Sequence, residues 1–322
     1  MKMGLKHNNI EWIAALRGLL ILFIFISHLS YLDINRMLLF VLGRIGVVGF
    51  FFVSGYLVYS SIAHRTCQQF VFNRFLRIYP VYWLLLIITY LFETYTLQDY
   101  YSFKEFLWNF TLFEEFVGIE KMIGTSWMLP IMIFSYLIFL CKKYMKLKIT
   151  TLFYLSCLGS LIASFCRFFL DYPMPTAFGL LSGVSILGWM YKEKQGSSPC
   201  SIVYYLLLYN VVLAVSTYWS YADMASMYFL SYNLGLAIFF VFQKLNISSL
   251  ILQKLSEIGF TFFLGAAIPL KIVEKHFMPQ DGMNSYLLAF IQILLITILS
   301  YAITRYIEEP LLVWGKNVEK RL

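Results

Sequence analysis

Ile13-Ala14-Ala15-Leu16-Arg17-Gly18-Leu19-Leu20-Ile21-Leu22-Phe23-Ile24-Phe25-Ile26-Ser27-His28-Leu29-Ser30-Tyr31-Leu32 is the stretch on which the reading of this chain turns. As a helix, a run of this length rises about 30 Å, the thickness of a bilayer's hydrocarbon core. Inside it stand a guanidinium, Arg17, and an imidazole, His28. Eleven residues of helix advance the chain about 16 Å and, at about 100° per residue, return nearly to the same face. The two side chains therefore fall on one stripe at two depths. Ionisable groups are costly in lipid, and by default they mark a reaction site or a conduit. A neutral imidazole can act as a general base, accepting a hydroxyl proton and later returning it. The competing reading of His28 is a histidine near a helix end, hydrogen-bonded to a neighbouring span. The run does not read as a cleaved leader. It is too long for the apolar region of one, and no small-residue cleavage site follows it.

Outward from this run, apolar windows of similar length recur to the end of the 322 residues. The chain is 60% hydrophobic and 13% charged, against roughly half and a quarter in an ordinary soluble domain. The expectation is an all-α, polytopic membrane helical bundle of about ten transmembrane helices, in a single domain over residues 1–322. The expected spans are 12–32, 44–63, 78–95, 123–141, 150–170, 174–191, 202–221, 226–243, 256–273 and 284–307. A transmembrane β-barrel would show short alternating segments instead. Between the third and fourth spans, residues 96–122 are acidic and aromatic, with Glu105, Glu114, Glu115 and Glu120 among Phe and Trp. That composition suits an interfacial amphipathic helix.

The net charge of +8 is spread over short loops, which is cytoplasmic loop bias and not a nucleic-acid footprint. With the N-terminus inside, sixteen lysines and arginines, Arg65, Arg74 and Arg77 among them, fall on one side. Seven fall on the other: Arg36, Arg44, Lys104, Lys121, Arg167, Lys271 and Lys275. Both termini are thus expected in the cytoplasm, with Arg17 toward the inner half of its span and His28 toward the outer half. The five cysteines, Cys67, Cys141, Cys157, Cys166 and Cys200, have no metal-like spacing and form no disulfide framework. They read as free thiols, and no metal is expected.

Three further segments bear on chemistry. Arg74-Phe75-Leu76-Arg77, followed by Ile78-Tyr79-Pro80, puts two guanidinium forks on one helical face at the inner mouth of a span. Such forks suit phosphate oxygens, so a nucleotide or coenzyme A is a candidate ligand. Plain cytoplasmic anchoring is the alternative. Gly46-Val47-Val48-Gly49-Phe50-Phe51-Phe52-Val53-Ser54-Gly55-Tyr56 threads small residues through an aromatic span. Small residues admit close helix approach, and a ligand passing between helices needs them too, so Ser54 and Gly55 are candidate donor-side residues. Arg305-Tyr306-Ile307-Glu308-Glu309-Pro310 ends the last span; Arg305 and Glu308 are spaced to pair, and a structural role is the simpler reading.

Taken in order, these segments resemble the acyltransferase 3 family of bacterial membrane proteins that acylate extracytoplasmic sugars. Arg17 and His28 match the family's arginine and histidine in the first span. The stretch from Gly46 to Tyr56 is similar to its Gly-Val-x-x-Phe-Phe-x-x-Ser-Gly-Phe segment, with Tyr56 for the last Phe. Arg74 to Pro80 resembles its Arg-x-x-Arg before Ile-Tyr-Pro, and Tyr306 to Pro310 its closing Tyr-x-Glu-x-Pro. Two positions depart. Trp127-Met128-Leu129-Pro130-Ile131-Met132-Ile133-Phe134-Ser135-Tyr136 keeps Trp and Tyr but has Met132 where the family often has Glu. Phe263-Leu264-Gly265-Ala266-Ala267-Ile268-Pro269 has Ala266 where the family often has His.

The resemblance implies a short, stand-alone O-acyltransferase of the bacterial cytoplasmic membrane, most simply an O-acetyltransferase. Its donor would be cytoplasmic acetyl-CoA and its acceptor a polysaccharide or lipid-linked glycan outside. His28 would be base or transient acyl carrier, with Arg17 aligning the acyl end. Arg74, Arg77, Ser54 and Gly55 would hold the coenzyme, and Trp127 and Tyr136 would touch the substrate. The partners are then the bilayer and the glycan, with no nucleic acid; oligomeric state has no signature in the sequence. The other reading is a degenerate relative that exports polysaccharide, which the loss of polar groups at Met132 and Ala266 favours and the retained arginines disfavour.

Overall fold

The structure, a computed structural model, describes residues 2–29, 32, 34–97, 101–195, 200–266, 268 and 285–321; the side chains of residues 2–10, 96, 97, 200 and 201 are outside the description. The described chain is helical, with short 3₁₀ and π turns. Its long helices are α1 (Lys2–Ser27), α2 (Arg36–Ala63), α3 (Cys67–Phe92), then after α4 (Phe103–Thr111) α5 (Met128–Met145), α6 (Ile149–Phe169), α7 (Ala177–Glu193), α8 (Cys200–Tyr221) and α9 (Ala225–Leu245). Two short helices, α10 (Leu250–Glu257) and α11 (Gly259–Gly265), precede α12 (Ser285–Ile303) and α13 (Glu309–Glu319).

Six helical segments among the described residues, not ten, are long and apolar enough to cross a membrane: Arg36–Ala63, Cys67–Tyr95, Gly124–Met145, Ile149–Phe169, Ile202–Leu245 and Ser285–Glu319. This corrects the expected count; three of the four differences have local causes, and the fourth, at α1, lies only in the extent of its description. The described side chains of α1 cover only residues 11–27. The expected span 174–191 is α7, which has 17 residues. The expected spans 202–221 and 226–243 fall in one 44-residue segment, interrupted by the tight turn Ala222–Met224. The expected span 256–273 breaks at Ile258 into the 8-residue α10 and the 7-residue α11; residues 267 and 269–273 lie outside the described residues, as do Lys271 and Lys275. Over the described residues the architecture is therefore an all-α, multi-pass membrane bundle with six long apolar segments.

Helix ends follow local chemistry. Thr66 and Gln69 form a reciprocal capping box on α3, and Ser102 and Glu105 do the same on α4, satisfying backbone N–H groups that have no partner within the helix. Lys146 and Asn246 adopt left-handed backbone after α5 and α9, the usual stop for a helix. On α4, Phe106 packs on Tyr90 of α3 and Phe110 stacks on Trp83 at 4.4 Å, while Phe103 and Leu107 stay exposed. The segment expected to lie at an interface is thus amphipathic and docked by one face.

Helix α2 is the hub and packs against α1, α7 and α9. Two glycines set its distance from α7. A Cβ on Gly55 would lie 1.8 Å from the Ser185 carbonyl oxygen, and one on Gly188 would lie 2.1 Å from that of Phe52. Only hydrogen fits between the two backbones, which is how small residues drive helix contact in lipid. Around this seam Phe52, Tyr56, Tyr191, Phe239 and Phe240 meet in edge and tilted ring contacts at 4.7–6.3 Å.

Candidate active site

Two cavities open along α2, one toward each end, and are named inner and outer after the orientation expected from the sequence. The inner cavity, about 470 Å³, is lined by Ser54, Leu57 and Ser61 of α2, Arg17 of α1, Arg65 before α3, Asn73, Arg74 and Arg77 of α3, Met132 and Tyr136 of α5, and Glu308 and Lys316 near the C-terminus. The outer cavity, about 730 Å³, is lined by His28 beyond the end of α1, Arg36 and Arg44 of α2, Trp127 before α5, Thr176, and Tyr221, Tyr228 and Tyr232 around the α8–α9 turn. Both lie in the size range of small-molecule sites. Ile24 borders both. It sits between Arg17 and His28 on α1, so the two ionisable groups face adjoining chambers with one aliphatic side chain at the junction.

The inner cavity is electropositive. Five basic side chains, Arg17, Arg65, Arg74, Arg77 and Lys316, face it against two carboxylates, Glu257 and Glu308. Some of this charge is committed. Arg65 pairs with Glu319, which also accepts from Asn73, and Glu308 Oε2 accepts from the hydroxyls of Thr261 at 3.2 Å and Thr304 at 3.4 Å. Arg74 donates through Nη2 to Ser61 Oγ at 3.1 Å and lies 4.9 Å from the ring centres of both Phe70 and Tyr136. Its Nε is buried without an acceptor among the described residues. An anion entering here meets donors already oriented. Ser54 and Tyr136 stand 3.4 Å apart by their hydroxyls on the wall.

The expected site residues are thus distributed. Arg17, Arg74, Arg77, Ser54 and Tyr136 share the inner cavity, and His28 and Trp127 share the outer one. Tyr136 and Trp127, expected to touch the same substrate, are parted. Gly55 borders neither cavity and belongs to the α2–α7 seam. His28 has no side-chain hydrogen-bond partner among the described residues, so the hydrogen-bonded packing reading has no support there. Of the two departures, Met132 lines the inner cavity, while Ala266 lines neither cavity and is buried in an apolar cluster with Ile21, Phe25 and Phe262. Arg305 pairs with Glu309 at 2.6 Å, one residue beyond the expected Glu308.

Sequence reasoning missed two residues. Arg44 was counted as an outer loop charge, yet it lies inside α2 and borders the outer cavity; its signal was Phe40 one turn earlier. Glu114, one of the acids of the expected interfacial helix, is fully buried in the turn Glu114–Val117, with both carboxyl oxygens lacking a partner among the described residues. Burial raises its carboxyl above the ordinary range, and the nearby Lys121 offsets this only in part, being itself paired with Glu115 at 2.6 Å. A carboxyl with a raised folded-state value stabilises fully below the ordinary carboxylate range and loses that contribution as pH rises through the raised value. Glu114→Gln is therefore expected to raise the thermal midpoint near neutral pH. The gain should fade in acid, as thermal melts of both forms across pH would show; a pH-independent difference would contradict the burial argument.

Comparison with known families gives a direct result. An acyltransferase 3 family model, described as an acyltransferase domain, matches residues 10–305, so it takes in most of α1 with Arg17, His28 just beyond it, and reaches Arg305 in the last membrane segment. The chain belongs to that family. Comparison with curated proteins and with solved structures gives no match.

Proposed function

We propose that the protein, acting as one domain over residues 1–322, is a membrane O-acyltransferase. In this reading it moves an acetyl group from cytoplasmic acetyl-CoA to a sugar hydroxyl of an extracytoplasmic polysaccharide or lipid-linked glycan. It would sit in the bacterial inner membrane with both termini cytoplasmic. The observation that supports this most is the pair of adjoining chambers: a basic one suited to coenzyme phosphates and an aromatic one lined by the His28 imidazole. Arg74 and Arg77 would grip the phosphates, and Arg17 would align the acyl end at the Ile24 junction. Trp127 would offer a ring face to the sugar. His28 would take the proton from the sugar hydroxyl as that oxygen bonds to the thioester carbonyl carbon. The carbon–sulfur bond then breaks, and the leaving thiolate takes up the proton.

Arg74→Gln with Arg77→Gln is expected to weaken coenzyme A binding to purified protein by about 100-fold or more. Each lost charge-assisted bond costs about 1.5–3 kcal/mol, and titration calorimetry in detergent would read it. The second reading, polysaccharide export without catalysis, draws on Met132, which puts a thioether on the inner wall in place of an acid. It predicts unchanged coenzyme affinity in the double variant and no acyl transfer by the unaltered protein.

A further inference from the structure

The outer cavity carries more charge than a neutral sugar needs. Arg36 and Arg44 both border it, and no Asp or Glu is among its described lining residues. We infer that this chamber takes an acidic glycan, with a carboxylate or phosphate on the sugar held by Arg44, assisted by Arg36, while a neighbouring hydroxyl is presented to His28. The inference rests on the transferase reading for the role of His28, and on the cavity alone for the anion.

Three observations carry it. Arg44 is fixed as a flat plate: its guanidinium carbon lies 3.3 Å from the centre of the Phe40 ring and 4.1 Å from that of Tyr228, and Nη2 donates to the Tyr228 hydroxyl at 2.7 Å. That bond uses one of five N–H donors, and no carboxylate among the described residues neutralises the rest. A guanidinium held this way loses little freedom on meeting a second, anionic partner. Arg36, secondly, is the first residue of α2, with no acid in the first turn. A cation is disfavoured at a helix N-terminus and an anion favoured, so an arriving anion would relieve Arg36 and the helix end together. Thirdly, Tyr221 and Tyr228 stack at 4.1 Å with planes 6° apart, which backs the ring on which Arg44 lies, while Trp127 and Tyr232 are further aromatic side chains on the cavity wall. In the proposed orientation both arginines also stand on the outer side, against the positive-inside bias.

The test is equilibrium binding to the purified full chain in detergent, read by calorimetry, with three probes: trigalacturonic acid, glucose 1-phosphate and neutral maltotriose. At least one acidic probe should bind about tenfold tighter than maltotriose, as expected for one charge-assisted fork, and added salt should erode the advantage. Arg44→Gln should remove the preference for the acidic probe, while Arg44→Lys should keep part of it. Which acidic probe wins separates a carboxylated from a phosphorylated acceptor. Equal affinity for acidic and neutral probes, no binding of either acidic probe, or a full preference in Arg44→Gln would each overturn the inference. Coenzyme A binding in the same preparations confirms that the variants are folded. Absence of coenzyme binding to the unaltered protein, with the acidic preference intact, retires the transferase reading and leaves the anion site standing.

Discussion

Replacing His28 with alanine is expected to slow acyl transfer by about 10²–10⁴-fold, the usual contribution of a positioned proton-transfer group, while membrane insertion stays intact. The asymmetry follows from the geometry. His28 lines the outer cavity and has no side-chain hydrogen-bond partner among the described residues, so its removal breaks no bond to any of them. It sits past the last turn of α1, where its backbone N–H bonds the Phe25 carbonyl at 3.0 Å, a bond that does not involve the side chain. A histidine that merely packs would behave in the opposite way, shifting the thermal midpoint and sparing turnover. Labelled acetyl transfer to envelope glycan, measured beside a thermal melt of the same variant, separates the two roles. Wild-type turnover in His28→Ala would remove the imidazole from the mechanism.

What the sequence made visible was local in origin. The cost of placing Arg17 and His28 in an apolar run needed no partner to be noticed, and the Arg74–Arg77 spacing was enough to put two guanidinium groups on one face. Helix breaks were harder to see. Ile258 is as apolar as its neighbours, so an expected span ran through the point where α10 ends and α11 begins. The division into two cavities was hidden for a different reason: the eleven-residue spacing fixes a stripe on α1 but not which helices lie across from each part of it. Whether Arg17 and His28 share a chamber depends on Ile24 and on neighbours from α2, α3 and α5. Arg44 and Glu114 share this difficulty, because their environments are supplied by Tyr228 and by the packed turn around residue 114, both remote from any motif.

Gly55 shows the same limit most sharply, and it carries the other large effect. A glycine beside a candidate ligand wall and a glycine at a helix seam look alike in sequence. Gly55→Ala would press a methyl group against the Ser185 carbonyl oxygen, and Gly188→Ala would press one against that of Phe52. Both obstacles are backbone, so a helix must move. Overpacking of this kind costs about 1–3 kcal/mol per site and sometimes more, a large share of a net stability of roughly 5–15 kcal/mol. Gly55→Val is expected to leave little monodisperse protein after detergent extraction, and Gly55→Ala to lower the thermal midpoint clearly. Because Ser54, Leu57 and Ser61 on the same helix line the inner cavity, displacement of α2 should weaken coenzyme A binding even where the alanine variant survives. Gly159 of α6 supplies the opposite sign. A Cβ there meets nothing within 4 Å, so Gly159→Ala should be neutral or stabilise by about 0.5–1 kcal/mol through lower backbone entropy in the unfolded chain. If Gly55→Ala and Gly159→Ala melt alike, the α2–α7 seam is not as close as the backbone distances require, and the placement of both cavity walls goes with it.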